Sequence, residues 1–412
     1  MNRMTLKSAN DLFNQGKFEN AREIYSRIRS QGTKNYEIVK QLGKIALFSN
    51  HFKEAENFLK EAIILEPKKE EPKILLTEVF YRQDKFQEVV SLLQQIGKEE
   101  EVKRFKSFKG ILPNQIKGDV EFTKIDFIKT DPLPIIKLKV NEDKVVNFFI
   151  DTGAAETILD KKFAEDLGVE IFFSRKGTFA GGKKASVQFG KINSITLGEF
   201  TIKNLPVVIL PVRHFSELVF GGTEVDGIIG TTLFYHFITT MDYVEGELIL
   251  RRKNKTNLSK IDQEIKEKKM FEIPFWMAGD HYIVAWGRVN KSKPLLFFVD
   301  TGLAGGGFTC PESTIKEAGI DLLTDQASVG VGGGGKVQTI PFIVDKLSLG
   351  AVVEYNIRGV FTGGTSLNEV LGFQIGGIIS HMFFRKYALT FDFIKMRLIL
   401  QKKTSASNIS IK

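Results

Sequence analysis

One cysteine, Cys310, stands among 412 residues. No intrachain disulfide can form, which fits a reducing compartment. A lone thiol with no histidine near it in sequence is expected to be a packed small side chain rather than a nucleophile. Histidine is scarce too. Its five copies, His51, His214, His236, His281 and His381, are scattered, with no His-Glu-x-x-His and no cysteine cluster beside them. No metal centre and no cofactor are therefore expected. His236 and His381 read as near-surface or satisfied packing residues. No stretch approaches 18 apolar residues, which excludes a transmembrane helix. The segment Met1 to Ala9 lacks an apolar run and a cleavage site. The expectation is a cytoplasmic protein, or an exported or periplasmic one if a leader has been removed.

What is present is ordinary for a soluble globular chain, with 42% apolar and 26% charged residues. The net charge is +9, yet much of the lysine lies in mixed runs with glutamate, such as Lys98 to Lys109 and Lys253 to Lys269. Mixed runs are solvated linkers or helix faces. No aromatic and basic platform accompanies them, so no nucleic-acid partner is expected.

The first hundred residues keep a period of 34. Gly16, Asn50 and Asp84 share it, as do Phe18, Phe52 and Phe86, and Ala21, Ala55 and Val89. Small residues let paired helices approach closely, an aromatic opens each second helix, and the turn holds residues that tolerate unusual backbone angles. The pattern resembles the tetratricopeptide repeat over about residues 3–97, most closely in 36–69. That resemblance implies a groove for a peptide or protein partner, or an appendage packed on the following domain.

From about Val120 the texture changes to short Val-, Ile- and Phe-rich runs punctuated by glycine, the signature of many short strands. Here the chain repeats itself. Phe148-Phe149-Ile150-Asp151-Thr152-Gly153 returns as Phe297-Phe298-Val299-Asp300-Thr301-Gly302. Asp226-Gly227-Ile228-Ile229-Gly230 returns as Gly376-Gly377-Ile378-Ile379-Ser380. Met241-Asp242-Tyr243 returns as Phe391-Asp392-Phe393. Landmarks in constant order and spacing mean an internal duplication. The fold class expected is multidomain: an N-terminal all-α helical repeat, then an all-β region. The expected divisions are helical repeats at 1–98, a linker at 99–118, a first β lobe at 119–252, a connector at 253–269, a second lobe at 270–404 and a tail at 405–412.

Two copies of one acidic phrase point to one chemistry. If Asp151 and Asp300 meet at a twofold axis, they can share a proton and activate a water. At about 3 Å, with an effective dielectric near 20, two carboxylates repel by roughly 5 kcal/mol. That is about four pKa units, so both cannot be ionised near neutrality. The Asp-Thr-Gly and Asp-Gly-Ile-Ile-Gly phrases together resemble the aspartic protease clan over roughly 119–404. Ala154 leans toward its retropepsin branch, while two lobes in one chain is the pepsin-like arrangement. The resemblance implies an aspartic endopeptidase acting on a peptide or protein substrate, with Asp151 and Asp300 catalytic and no dimer needed to build the site. It implies that Thr152 and Thr301 lock the two acidic turns. Gly153 and Gly302 leave room for backbone N–H groups to reach the carboxylates. Ile228, Ile229, Ile378 and Ile379 form an apolar bracket behind them.

The clan also covers its substrate with a hairpin flap. Candidates are Phe179, Gly181 and Gly182 after the first aspartate, and Gly332, Gly333 and Gly334 after the second. The segment Gly330 to Lys336 also fits a phosphate-loop string. However, Val337 replaces the Ser or Thr that would bind magnesium, and a strand rather than a helix is expected next. The second copy is the looser one. Leu303 follows Gly302 where a small residue is preferred, and Ser380 replaces Gly230 at some cost in backbone freedom. The alternative function is a protease-like peptide-binding scaffold that cuts weakly or not at all.

Overall fold

The computed structural model describes residues 5–141, 143–179, 184–332, 335–363 and 367–403. Helices fill residues 6–106, and the rest is mostly strand. The fold class read from the sequence is the one observed. Among the described residues, those within 5–112, 276–282 and 367–375 form one compact unit, and the others form a second.

In the first unit the period of 34 becomes three helix pairs: Leu6–Asn14 with Phe18–Ser30, Tyr36–Phe48 with Phe52–Leu65, and Glu71–Tyr81 with Phe86–Gln95. Each repeated phenylalanine is the first residue of its second helix. Each repeated turn residue takes positive φ: 75° at Gly16, 56° at Asn50 and 58° at Asp84. Gly43 is small for a packing reason, since a Cβ there would lie 2.8 Å from Leu59. The segment expected to be a linker at 99–118 is largely ordered structure. Glu99–Lys106 is a helix, and Val102, Phe105 and Phe108 join the core of the third pair. Three glutamates in its first turn and Lys103, Arg104 and Lys106 in its last suit the helix dipole.

Two later segments belong to this unit. Phe373 sits among Phe13, Phe18 and Phe48, with ring centroids 5.0 Å from Phe18 and 5.9 Å from Phe48. Trp276 packs edge-on to Phe18 at 5.5 Å. The buried Arg82 guanidinium donates to the carbonyls of Met277 and Gly279, and also to Leu47.

In the second unit each Asp-Thr-Gly phrase follows a strand within the same local pattern. Lys144–Ile150 runs parallel to Gly227–Ile229, which is antiparallel to Thr157–Asp160, which is parallel to Phe200–Leu210. Leu295–Val299, Gly377–Ile379, Phe308–Thr309 and Val352–Phe361 repeat those four relationships in the same order. The two copies meet where Phe237–Asp242 pairs with Tyr387–Asp392. Thr240 lies opposite Thr390, Met241 opposite Leu389, and Thr239 opposite Phe391. Each residue thus faces the duplicate of its partner's mirror position, as a pseudo-twofold axis requires. The Thr240 and Thr390 hydroxyls hydrogen-bond there at 2.7 Å.

A short helix follows each acidic turn. Asp160 caps Lys161–Asp166, and Glu312–Ala318 stops at Gly319 in the left-handed region. The connector expected at 253–269 is instead a helix, Lys255–Glu267, capped by Asn254. Leu258, Ile261 and Ile265 lay one apolar stripe against Ile238 and Ile399. Three apolar residues among many charges were enough to make one packed face.

Candidate active site

Both aspartates stand one residue past the end of a buried strand, on a tight turn. Ile150 and Val299 are fully buried, while Asp151 and Asp300 are half-buried. The backbone N–H of Asp151 donates to Ile229 O at 3.1 Å, and that of Asp300 to Ile379 O at 3.0 Å. The Ile-Ile phrases therefore form the strands that hold the acidic turns. Ile229 and Ile379 are fully enclosed, and Ile228 and Ile378 pair alongside Phe149 and Phe298.

The pseudo-twofold axis is tightest at the threonines. Thr152 N–H donates to Thr301 Oγ1 at 3.0 Å, and Thr301 N–H donates to Thr152 Oγ1 at 3.0 Å. The Thr152 hydroxyl in turn donates to Val299 O at 3.1 Å. Both threonines are almost wholly buried, so these bonds are made away from competing water.

Gly153 N–H donates to Asp151 Oδ1 at 2.7 Å, and Gly302 N–H to Asp300 Oδ1 at 2.8 Å. Each glycine also makes room for the opposite acid. A Cβ on Gly153 would lie 2.5 Å from the carboxyl carbon of Asp300, and one on Gly302 would collide with the Asp151 carboxyl. The two carboxyl groups lie within hydrogen-bonding reach of each other. Burial, then the negative Asp300, then the hydrogen bond between them hold the Asp151 carboxyl well above the usual carboxylate range. The N–H groups of Gly153 and Ala154 pull the other way. Such a pair takes up one proton far more readily than two separate carboxylates would.

The first flap candidate lies on a hairpin in which Ile171–Thr178 pairs with Lys184–Leu197. Phe179 packs on the apolar cluster that contains Phe149, Phe173 and Ile228. In the second, Ser328–Gly332 pairs with Gly335–Leu349, and Gly332 faces Gly335. Strand pairing of Val331 with Lys336 leaves no helix for a phosphate loop to open. Gly181, Gly182, Gly333 and Gly334 lie outside the described residues.

The sequence undervalued four residues. Ser380 takes an extended conformation, with φ −135° and ψ −170°, that costs nothing. Its Oγ accepts the Leu303 N–H at 3.0 Å, bracing the second acidic turn. Gly230, its duplicate, is glycine because a Cβ would crowd the backbone of Ala155 and Glu156. Thr231 Oγ1 donates to Thr152 O at 2.8 Å. Asp226, buried at the head of its motif, takes two hydrogen bonds from Arg213. His381, expected to be a near-surface or satisfied residue, is fully buried. Its Nε2 lies 3.0 Å from Asp131 Oδ1, and its Nδ1 has no partner among the described residues. The duplication itself held the signal for Ser380 and His381, which occupy the places of Gly230 and Thr231.

Cys310 is buried and desolvation pushes its thiol up to about 12, so it is no nucleophile. Among the described residues, no group of histidine, cysteine and acidic side chains is arranged to hold a metal, and no helix is long and apolar enough to cross a membrane.

A family model described as aspartyl protease matches residues 136–233. That span contains Asp151-Thr152-Gly153 and Asp226-Gly227-Ile228-Ile229-Gly230, and marks a domain of the protease kind. Peptides or proteins are the substrates such a domain implies. A search of curated proteins returns no match.

Proposed function

We propose that the chain is an aspartic endopeptidase in which Asp151 and Asp300 together activate one water. The observation that carries this reading is the contact between the two carboxyl groups across a reciprocal threonine lock. In the working state the pair holds one proton. The charged member draws a proton from the water, and the protonated member hydrogen-bonds the scissile carbonyl oxygen. As the water oxygen bonds to the carbonyl carbon, the protonated member passes its proton to the carbonyl oxygen. This gives a neutral tetrahedral diol and leaves the pair with the proton taken from the water. Collapse of the diol passes a proton to the leaving amine and returns the pair to its starting state. The titration belongs to the pair, so neither role is fixed to one residue. The threonine lock keeps both carboxyls in place with little reorganisation during the reaction.

The retropepsin-like character rests on Ala154 and on two glycine-bearing hairpins in equivalent places, and the pepsin-like character on both halves lying in one chain. In the same reading the helical unit, whose repeat is of tetratricopeptide type, recruits a protein or peptide. Part of its aromatic surface is taken by Phe373 and Trp276, so a partner must use what they leave.

The test is cleavage of a degenerate peptide library by the wild type, Asp151→Asn and Asp300→Asn across about pH 3 to 8. Either substitution is expected to abolish cutting. Full activity in one variant defeats the shared-proton mechanism. Retention of peptides without cutting by the wild type makes the chain a binding scaffold instead.

A further inference from the structure

The second acidic turn is tied differently from the first. In the first half, Thr231 bonds the Thr152 carbonyl through its hydroxyl at 2.8 Å. His381 occupies the duplicate position, and an imidazole has no hydroxyl to repeat that bond. The ring instead reaches across the pseudo-twofold axis. Its Nε2 lies 3.0 Å from Oδ1 of Asp131, which precedes the strand Ile135–Val140 in the first half. Arg385, one turn further on, donates to the other oxygen of Asp131 at 2.6 Å and to Tyr243 O at 3.2 Å. A carboxylate paired with arginine accepts, so Nε2 carries the imidazole proton. Tyr243 packs its ring on the histidine, with centroids 5.3 Å apart. Asp131, Arg385 and Tyr243 thus gather around the ring.

His381 is also coupled to the catalytic turn through its neighbour in sequence. Ser380 Oγ takes the N–H of Leu303, and Ser380 N–H donates to Gly307 O at 2.9 Å. Ile379 O takes the N–H of Asp300. A buried ring whose Nδ1 has no partner among the described residues costs free energy. Packing alone would be served better by phenylalanine.

We propose that His381 is a positioning residue, anchored by Asp131 and Arg385, that holds the Asp300 turn in register with Asp151. The claim rests on the peptidase reading above and names residues outside its acidic motifs. The strut runs from Asp131 through His381 and Ser380 to Leu303 and Asp300. It replaces, by a link between the halves, the local tie made by Thr231 in the first half.

The experiment uses the full chain and four proteins: wild type, His381→Phe, His381→Gln and Asp131→Ala. Glutamine places an amide N–H where Nε2 stood. Asp131 is exposed, so its removal keeps the test open if the phenylalanine variant fails to fold. His381→Phe and Asp131→Ala are expected to lower kcat about tenfold or more with KM little changed, since small misplacements of reacting groups are costly. His381→Gln is expected to recover most of that loss. Amide hydrogen exchange at Asp300 and Leu303 is read on the same proteins and needs no cleavage. It is expected to quicken in His381→Phe and Asp131→Ala and to return toward wild type in His381→Gln. A wild type that never cuts defeats the peptidase reading, and the exchange rates then judge the strut alone. Unchanged kcat and unchanged exchange in His381→Phe, or no recovery with glutamine, overturns the proposal.

Discussion

Gly153 leaves the space that Asp300 occupies: a methyl group built on it would lie 2.5 Å from the Asp300 carboxyl carbon. The Gly153 backbone itself lies on the side of negative φ, so an alanine would be excluded by the opposite acid and not by its own dihedral angles. Gly153→Ala is therefore expected to displace Asp300 and to lower kcat by about 10²-fold, while overpacking costs about 1–3 kcal/mol. Cleavage rate and thermal unfolding of the same variant separate the two effects. A fully active variant would show that the carboxyl groups work further apart than they stand here.

The threonine lock predicts a different pattern. Thr301→Val keeps the shape and removes the oxygen that accepts the Thr152 N–H. That donor is buried, and leaving it unpaired is expected to cost about 1–3 kcal/mol. Thr301→Ser keeps the oxygen and is expected to restore most of the stability. Urea denaturation at constant m-value reads both.

How much of this was legible in the sequence depends on what each residue does. The acidic phrases and their Ile-Ile companions were legible because the duplication printed them twice in register. The helix pairs were legible because close packing repeats a small residue and an aromatic at a fixed interval. The role of each glycine was read only in part. The N–H donation to its own aspartate follows from the turn, but the clearance for the opposite aspartate exists only once two distant turns meet. The helix Lys255–Glu267 escaped notice because its buried face needs only Leu258, Ile261 and Ile265. Ser380 escaped because it reads as a glycine replacement, and His381 because no motif marks a lone histidine, whereas each makes a bond of its own.

In the helical unit Phe373 is the main plug. It is 2% exposed and meets Phe13, Phe18 and Phe48, all contributed by the repeat. Phe373→Ala is expected to destabilise that unit by about 3–5 kcal/mol, the usual cost of deleting a buried aromatic ring. Phe373→Leu fills more of the space and is expected to cost less. Differential scanning calorimetry that resolves the first unit's transition provides the check. Equal loss in both variants would mean that ring packing is not what holds the segment.

The acidic pair also sets how stability responds to pH. The folded protein holds the Asp151 carboxyl well above the ordinary aspartate value of 3.8, because burial and Asp300 penalise its charge. Between 3.8 and that raised value the native chain keeps a proton that the unfolded chain has released. Stability must then fall as pH rises through this window, and the contribution is fully present only below it. His381 acts with the opposite sign. Burial holds its imidazole below the ordinary 6.5, so its contribution is present above 6.5 and is lost as pH falls toward the lowered value. Asp151→Asn removes the first effect and leaves the second. Its melting temperature is expected to exceed that of the wild type at neutral pH, with the gap narrowing as pH falls toward 3.8. Thermal unfolding in a series of buffers across that range measures it. An Asp151→Asn variant that melts below the wild type at neutral pH would mean that the two carboxyl groups do not burden each other in the folded chain.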